Sequence, residues 1–309
     1  MAAPAHVASW YAASANSPVP RSTLDTDIHC DVCILGAGSS GLSSALHLAE
    51  RGYSVVVLEA ARIGWGASGR NGGQIVNGYS RDIDVIERAY GKSTGSALAA
   101  MMFEGGDIIR QRIEKYNIQC DLRHGGFFAA CSARHMRELE KLARLWAQLG
   151  NDSLELFDAR AMPGVIDSSC YVGGLLDGKG GHIHPLNLAL GEADAIESLR
   201  GKIFEGSPVK HIKQGEKIIF STTRGKVTAR YGVVCGNAYL GKLLPTLAAK
   251  AMPCATHIVT TAVLGEAQAK KLIPSNYCIE DNNYLMDYYR LTADHRFPHG
   301  AGAKDRCGD

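Results

Sequence analysis

The sequence predicts an α/β fold: a strand–helix–strand unit of parallel sheet near the N-terminus, followed by a region of mixed or antiparallel sheet. Three observations predict it. Asp31–Leu35 is a short apolar run that ends in glycine. A helix-periodic stretch and a second apolar run, Tyr53–Leu58, follow it closely enough to form one βαβ unit. Beyond residue 200 the hydrophobic period changes from helical to two.

The elements follow in order. The first twenty residues are rich in Ala, Ser and Pro and lack a basic start and an apolar core, so the N-terminus reads as a mobile arm of roughly two dozen residues rather than a secretory leader. In the helix expected at 43–51, Leu42, Ala45, Leu46 and Ala49 share one face, and Gly52 ends it. Residues 61–80 are glycine-rich. Helices are expected at 81–90 and 93–117, and an amphipathic one at 134–149 with Leu139, Leu142, Trp146 and Leu149 as its stripe. Strands are expected near 120–131, 154–157 and 171–176. Pro185 suits the first turn of a helix over 186–199. Val209–Lys213, Lys217–Thr223 and Lys226–Arg230 read as a meander, and Tyr231–Cys235 as a separate buried strand. Later strands are expected at 256–264, 277–280 and 284–291.

Composition narrows the function. The 309 residues suffice for about two domains. A formal net charge of +2 without a basic stripe argues against a nucleic-acid partner. No apolar run reaches the length of a membrane span; Ala251–Gly265 is interrupted by Pro253 and His257. Nine irregularly spaced cysteines, Cys307 the last, argue for reduced thiols in a cytoplasmic setting. Cys30 and Cys33 form a CxxC pair, but an odd offset on a strand sends them to opposite faces, and no second pair completes a metal site.

The chemistry sits in two glycine clusters. Gly36, Gly38 and Gly41 form a GxGxxG turn between strand and helix: the first glycine for the turn, the second for approach to a pyrophosphate, the third for packing. Ser39 and Ser40 open the helix, whose unpaired N–H groups attract phosphate. Glu59 ends the second strand, where an acid hydrogen-bonds an adenosine ribose. The second cluster, Ala67–Gln74, holds Ser68, Arg70, Asn71, Gly72 and Gly73. A nicotinamide enzyme has no need of it, whereas FAD must also be gripped at its flavin end. Arg70 is suited there to neutralise phosphate or orient a carboxylate.

The stretch WYAASAN (10–16), the run GAGSSGLSSALHLAERGYSVVVLEAARIGWGASGRNGGQ and the strings RDIDVIERAYG, MMFEGGDIIRQRIEKY, GGHIHPLNLALGEADAI, GNAYLG and NYLMDYYRLTAD resemble the amine-oxidising flavoproteins of the D-amino-acid oxidase and sarcosine oxidase superfamily. The resemblance covers roughly 10–294 and is nearest to the branch that oxidises gamma-glutamylputrescine in bacterial putrescine breakdown.

The resemblance implies a Rossmann-like FAD-binding domain with a β-meander, interleaved with a substrate domain on a mixed sheet. The implied segments are an arm at 1–30, FAD-binding pieces at 31–78 and 178–245, substrate-domain pieces at 79–177 and 246–294, and an irregular tail at 295–309. It implies FAD contacts at Ser39, Ser40, Glu59, Ala60, Arg62, Ser68, Arg70, Asn71, Gly73, Val209 and Gly236. His182 and His184 are implied near the flavin. Tyr284 and Tyr288, on one strand face with Tyr289 opposite, could line an amine pocket. The implied reaction takes a small-molecule amine and molecular oxygen to an aldehyde, ammonia and hydrogen peroxide.

After Asp294 the tail HRFPHGAGAKDRCGD shows no strand alternation and departs from the family, which continues to another strand and a glycine-rich turn into a helix. It reads as a frameshifted or prematurely ended segment. Three readings stay open: an amine oxidase, a related FAD enzyme for D-amino acids, glycine or sarcosine-like substrates, and a non-catalytic fragment.

Overall fold

The computed structural model describes residues 3–16, 19–252 and 254–303. In chain order the strands are β1 Ile28–Leu35, β2 Val55–Leu58, β3 Gln74–Ile75, β4 Arg123–Ala130, β5 Leu154–Asp158, β6 Gly173–His182, β7 Lys202–Phe204, β8 His211–Lys213, β9 Ile218–Ser221, β10 Lys226–Val234, β11 Ile258–Thr260, β12 Cys278–Asp281, β13 Leu285–Tyr289 and β14 Pro298–Ala303. The helices are α1 Trp10–Ala13, α2 Ser39–Ala49, α3 Ile83–Tyr90, α4 Lys92–Lys115, α5 Ala133–Gln148, α6 Pro185–Ser198, α7 Pro245–Ala248 and α8 Glu266–Leu272.

The chain forms two units, each discontinuous in sequence: 1–71, 113–120 and 185–255 make the first, and 72–112, 121–184 and 256–309 the second. The chain thus passes from one unit to the other five times, after residues 71, 112, 120, 184 and 255. Residues 113–120, expected with the substrate domain, group with the first unit. Ile118 explains this: its side chain packs against Gly191 of α6, where a Cβ would have no room.

The first unit is built on a six-stranded sheet in the order β7-β2-β1-β10-β9-β8. Strands β1, β2, β7 and β10 are parallel, and β8–β10 add an antiparallel meander. Val32 and Ile34 of β1 and Val55 and Val57 of β2 bury one face beneath Leu42 and Leu46 of α2 and Leu190 and Ile196 of α6. Full burial of each such side chain contributes about 1.5–3 kcal/mol. Leu24, Val56, Leu58, Phe220 and Val227 form a second cluster.

Four expectations are corrected here. The N-terminal arm is docked rather than mobile. Tyr11 and Leu24 are buried, Ser9 caps α1, Asn16 N–H donates to Asn187 Oδ1 at 2.8 Å and Trp65 Nε1 to Ala5 O at 2.8 Å. Tyr231–Cys235 is no separate strand: β10 runs unbroken because it pairs with β1 along its length, and Tyr231 is half exposed. Cys30 and Cys33 both reach the Phe220 cluster instead of parting to opposite faces. The pleat breaks between them, where Asp31 and Val32 N–H both donate to Ser54 O at 3.1 Å. Both thiols are free; burial pushes Cys30 up to about 11 and Cys33 well above its usual range. Finally, Pro298–Ala303 is a strand, held between β13 and β11. Its three small residues at 300–302 hid it from an alternation test, since neither Gly nor Ala marks a face. Cys307 and the rest of 304–309 lie outside the described residues.

The second unit carries an eight-stranded sheet whose main path is β11-β14-β13-β12-β4-β6-β3, with β5 pairing β6. Phe127, Met162, Ile279, Tyr289 and Leu291 form its main core, and Leu139 of α5 packs on Ala130 and Leu175. Strand β6 is anchored by the buried Asp177, whose carboxylate accepts from Asn77 Nδ2 at 2.7 Å, Asn151 Nδ2 at 3.0 Å and Lys179 N–H at 3.0 Å. Asp177→Ala strands two buried amide donors and is expected to cost about 3 kcal/mol. The measurement is the thermal midpoint, which should fall by several degrees; an unchanged midpoint contradicts this role.

Candidate functional site

The glycine turn is closed by its own backbone. A Cβ on Gly41 would collide with Gly36 O, and one on Gly36 would lie 2.7 Å from Cys235 O. Gly36 also needs its positive φ of 103°. A Cβ on Gly38 would lie 2.7 Å from Ser68 Oγ, which accepts the Ser39 N–H at 2.9 Å. Gly38 is the N-cap of α2 and offers no side chain of its own, so the Ser39 amide is capped from the neighbouring loop by Ser68.

Glu59 leaves β2 and turns into this loop. Its carboxylate accepts the Ala37 N–H and the Ala61 N–H, each at 2.8 Å. Burial raises its pKa, and the amide hydrogen bonds oppose that rise. A second buried carboxylate, Glu205, accepts from Ile63 N–H at 2.9 Å and Arg62 at 2.7 Å, fixing the following loop.

Around this turn lies a cavity of about 390 Å³ within the first unit. Of the residues singled out in the sequence, Gly36, Gly38, Glu59, Ala60, Ser68, Val209 and Gly236 line it. Ala37, Trp65, Gly66, Pro208, Tyr239 and Leu240 line it as well, and the sequence reading missed them. Gly41 sits behind the wall as a packing glycine, and Ser39 and Ser40 are exposed at the start of α2. Arg62 is spent on Glu205. Asn71 Nδ2 donates to Ala67 O and Ser68 O at 3.2 and 2.9 Å, which ties the short turn together.

Arg70 is not among the lining residues. Its guanidinium lies over the Trp65 ring at 5.2 Å and donates to Gly66 O at 3.2 Å and Tyr239 Oη at 3.3 Å. These contacts orient it on an aromatic pair. Gly73 belongs to the second unit, where its carbonyl accepts the Ile183 N–H at 2.7 Å.

The remaining candidates all lie in the second unit. His182, the last residue of β6, is buried, with Nε2 3.0 Å from Asn276 O and Nδ1 3.5 Å from Arg290 Nη1. Burial and the Arg290 charge push its pKa down to about 3, and that of the equally covered His184 down to about 4. Arg290 also donates to Gly72 O at 2.7 Å. Both ring nitrogens of His182 therefore face protein partners, an arrangement that orients a neutral imidazole. Tyr284 lies outside β13 and is exposed. Tyr288, half-buried, packs its ring where a Cβ on Gly72 would lie 3.1 Å away. Tyr289 is buried, and its hydroxyl donates to Tyr171 Oη at 2.7 Å. Among the described residues no group of three His, Cys, Asp or Glu could hold a metal ion, and no helix is long and apolar enough to cross a membrane.

A glycine turn, a helix N-terminus and an acid at the end of the next strand are the parts of a dinucleotide site. The family model described as FAD dependent oxidoreductase (DAO) matches residues 31–308. The chain belongs to this family.

DAO family membership makes the protein an FAD-dependent oxidoreductase. Among its relatives, gamma-glutamylputrescine oxidoreductase of Escherichia coli (strain K12) is 56% identical over 298 residues, which span 96% of this chain and 70% of that protein. The probable oxidoreductase OrdL of Haemophilus influenzae is 39% identical, with the same 96% and 70% covered. The fold is shared with L-proline dehydrogenase from P. horikoshii (TM-score 0.69, 16% identity, 92% of this chain and 71% of that one) and with glycine oxidase from Geobacillus kaustophilus (0.65, 18%, 89% and 72%). The first unit fits the DAO cofactor. The cavity is lined by the backbone of Gly36, Ala37 and Gly38 and by Glu59 at the end of the next strand.

The depressed histidines set a pH dependence for this DAO chain. An unfolded histidine takes up its proton near pH 6.5. His182 and His184, held neutral in the fold, do so only at about 3 and 4. Between these limits the unfolded chain binds more protons, so stability falls as the pH drops below about 6.5. Denaturation midpoints from pH 7 to 4.5 should decline, and His182→Gln, which keeps a donor toward Asn276, should flatten the decline. An unchanged slope in His182→Gln contradicts the assignment.

Proposed function

We propose that this chain oxidises the terminal primary amine of gamma-glutamylputrescine, with molecular oxygen as the electron acceptor. The overall balance is amine plus oxygen plus water giving aldehyde, ammonia and hydrogen peroxide. The observation that carries the cofactor half is the Glu59 carboxylate, fixed at 2.8 Å from Ala37 N–H inside the glycine turn and open to the cavity. The substrate half is supported by the 56% identity to the E. coli gamma-glutamylputrescine oxidoreductase.

FAD, when bound, supplies the two-electron chemistry. The chain's part is to bind and orient. The amides at the start of α2 and the open backbone at Gly36 and Gly38 would hold the diphosphate. Glu59 uses one lone pair of each oxygen on the loop and keeps others for ribose hydroxyls. Val209 and Pro208 would offer an apolar wall to the adenine, and Ser68 a hydroxyl near the phosphates. On the substrate side, His182 is set aside as a proton acceptor because both nitrogens are committed, and Tyr284 because it is exposed. His184, kept neutral by burial and by the Arg290 charge, and Tyr288, packed on the Gly72 backbone, are the proposed substrate-facing pair. The cytoplasm is the proposed compartment, consistent with eight free cysteines among the described residues.

The test is direct. The purified protein should show a flavin spectrum and release peroxide with gamma-glutamylputrescine in preference to D-alanine, glycine and sarcosine. A preference for one of the latter moves the assignment within the family, and flavin binding without turnover of any amine refutes the substrate half. Glu59→Gln, which replaces a charged acceptor, should weaken FAD binding about 10- to 100-fold. Titration of apoprotein with FAD measures it, and equal affinity contradicts the ribose role.

A further inference from the structure

We propose that Trp65, Arg70 and Tyr239 form a latch across the dinucleotide cavity, which closes it behind the bound cofactor and slows FAD release. This rests on the reading of the cavity as the FAD site.

The latch follows from strand order. In the first unit β1 lies between β2 and β10, and the glycine turn issues from the end of β1. Ligands of such sheets sit in the crevice beyond the carboxyl ends of the strands. The loop after β2 carries Trp65 and Arg70; the turn after β10 carries Tyr239. These two loops thus leave the sheet on either side of the phosphate turn, and their tips touch each other. Trp65 and Tyr239 meet edge to face with ring centroids 5.8 Å apart. Arg70 completes a three-membered cluster, stacked on the Trp65 ring and bonded to the Tyr239 hydroxyl. Trp65 and Tyr239 also line the cavity, so the surface they join belongs to its wall.

Two details show that the contact is built. A Cβ on Gly66 would lie 3.2 Å from the Tyr239 ring, so a glycine stands where the tyrosine must approach the opposite loop. The Trp65 indole N–H is held by Ala5 O, which fixes the ring from the N-terminal arm. Tyr239, by contrast, is 61% exposed. One side of the latch is therefore anchored, and the Tyr239 side chain meets it through the Trp65 ring and the Arg70 hydrogen bond. Such contacts are individually weak and can open without unfolding the sheet. Opening at Tyr239 would admit or release a dinucleotide; closing would cover it. The structure assigns to Arg70 the work of holding this contact shut.

The experiment uses the whole chain loaded with FAD. Release is followed by the return of free-flavin fluorescence after dilution and, in parallel, by chase of a radiolabelled complex with unlabelled FAD. Tyr239→Phe removes the hydroxyl and keeps the ring; Arg70→Gln removes the cation. Each should speed release about 10-fold. The double variant should be no faster than the quicker single one, because both changes break one contact, and such non-additivity is not expected of two independent structural defects. Tyr53→Phe, an exposed tyrosine of the same unit, should leave the rate unchanged. FAD binding should quench indole emission, and Trp65→Phe should remove most of that quench. Release rates within twofold of the unaltered protein in both single variants, or additive effects in the double, overturn the latch while leaving the FAD site intact. Failure of the unaltered chain to take up FAD overturns the site and the latch together.

Discussion

The first unit depends on one carboxylate placed between two loops. Glu59 accepts the amides of Ala37 and Ala61 at once. It thereby ties the turn after β1 to the loop after β2, and does so from a largely covered position. An ionised group in such a place is stable only when donors replace its water, and here the donors are backbone. Backbone hydrogen bonds from Gly36 N–H to Leu58 O at 2.8 Å and from Gly64 N–H to Ala37 O at 2.9 Å reinforce the same tie. The same device recurs one strand away. Glu205, at the end of β7, fixes Ile63 and Arg62 and so extends the ordered loop toward Trp65. Two buried acids thus shape the rim of the cavity from below, and their role is structural before any ligand arrives.

The second unit solves its polar problem differently. Asp177, Asn77 and Asn151 satisfy each other in the interior, and Arg290 reaches the Gly72 carbonyl while facing His182. Burial beside a guanidinium leaves the two histidines uncharged. Neutral imidazoles are good hydrogen-bonding spacers in such surroundings, and their protonation would place like charges together.

Much of this architecture was legible in the sequence, for identifiable reasons. The βαβ unit was readable because Val32, Ile34, Val55 and Val57 make continuous apolar runs and Gly36 and Gly52 punctuate them. The amphipathic stripe of α5 gave itself away at Leu139 and Trp146. Glu59 was found by its place at the end of a strand. What failed did so where tertiary contact overrides local pattern. The contact of Arg70 with Tyr239 was not legible, because the two lie 169 residues apart and no spacing rule links them. The arm read as mobile because Ala, Ser and Pro carry little periodicity, although Tyr11 and Leu24 bury fully. Strand β14 was invisible because Gly300, Ala301 and Gly302 carry no face, and only the register with β13 and β11 makes them a strand.

The five passages of the chain between units have a consequence for synthesis. Neither unit corresponds to one uninterrupted stretch, so neither can be finished by the ribosome before the other is largely made. Strand β10, which completes the flank of β1 and carries the Tyr239 turn, emerges some two hundred residues after its partner. Until then the nascent β1 has an open edge, and its apolar face has only the early helix α2 for cover. The two units are therefore born together, and an N-terminal piece ending before β10 would carry the phosphate turn without its far wall.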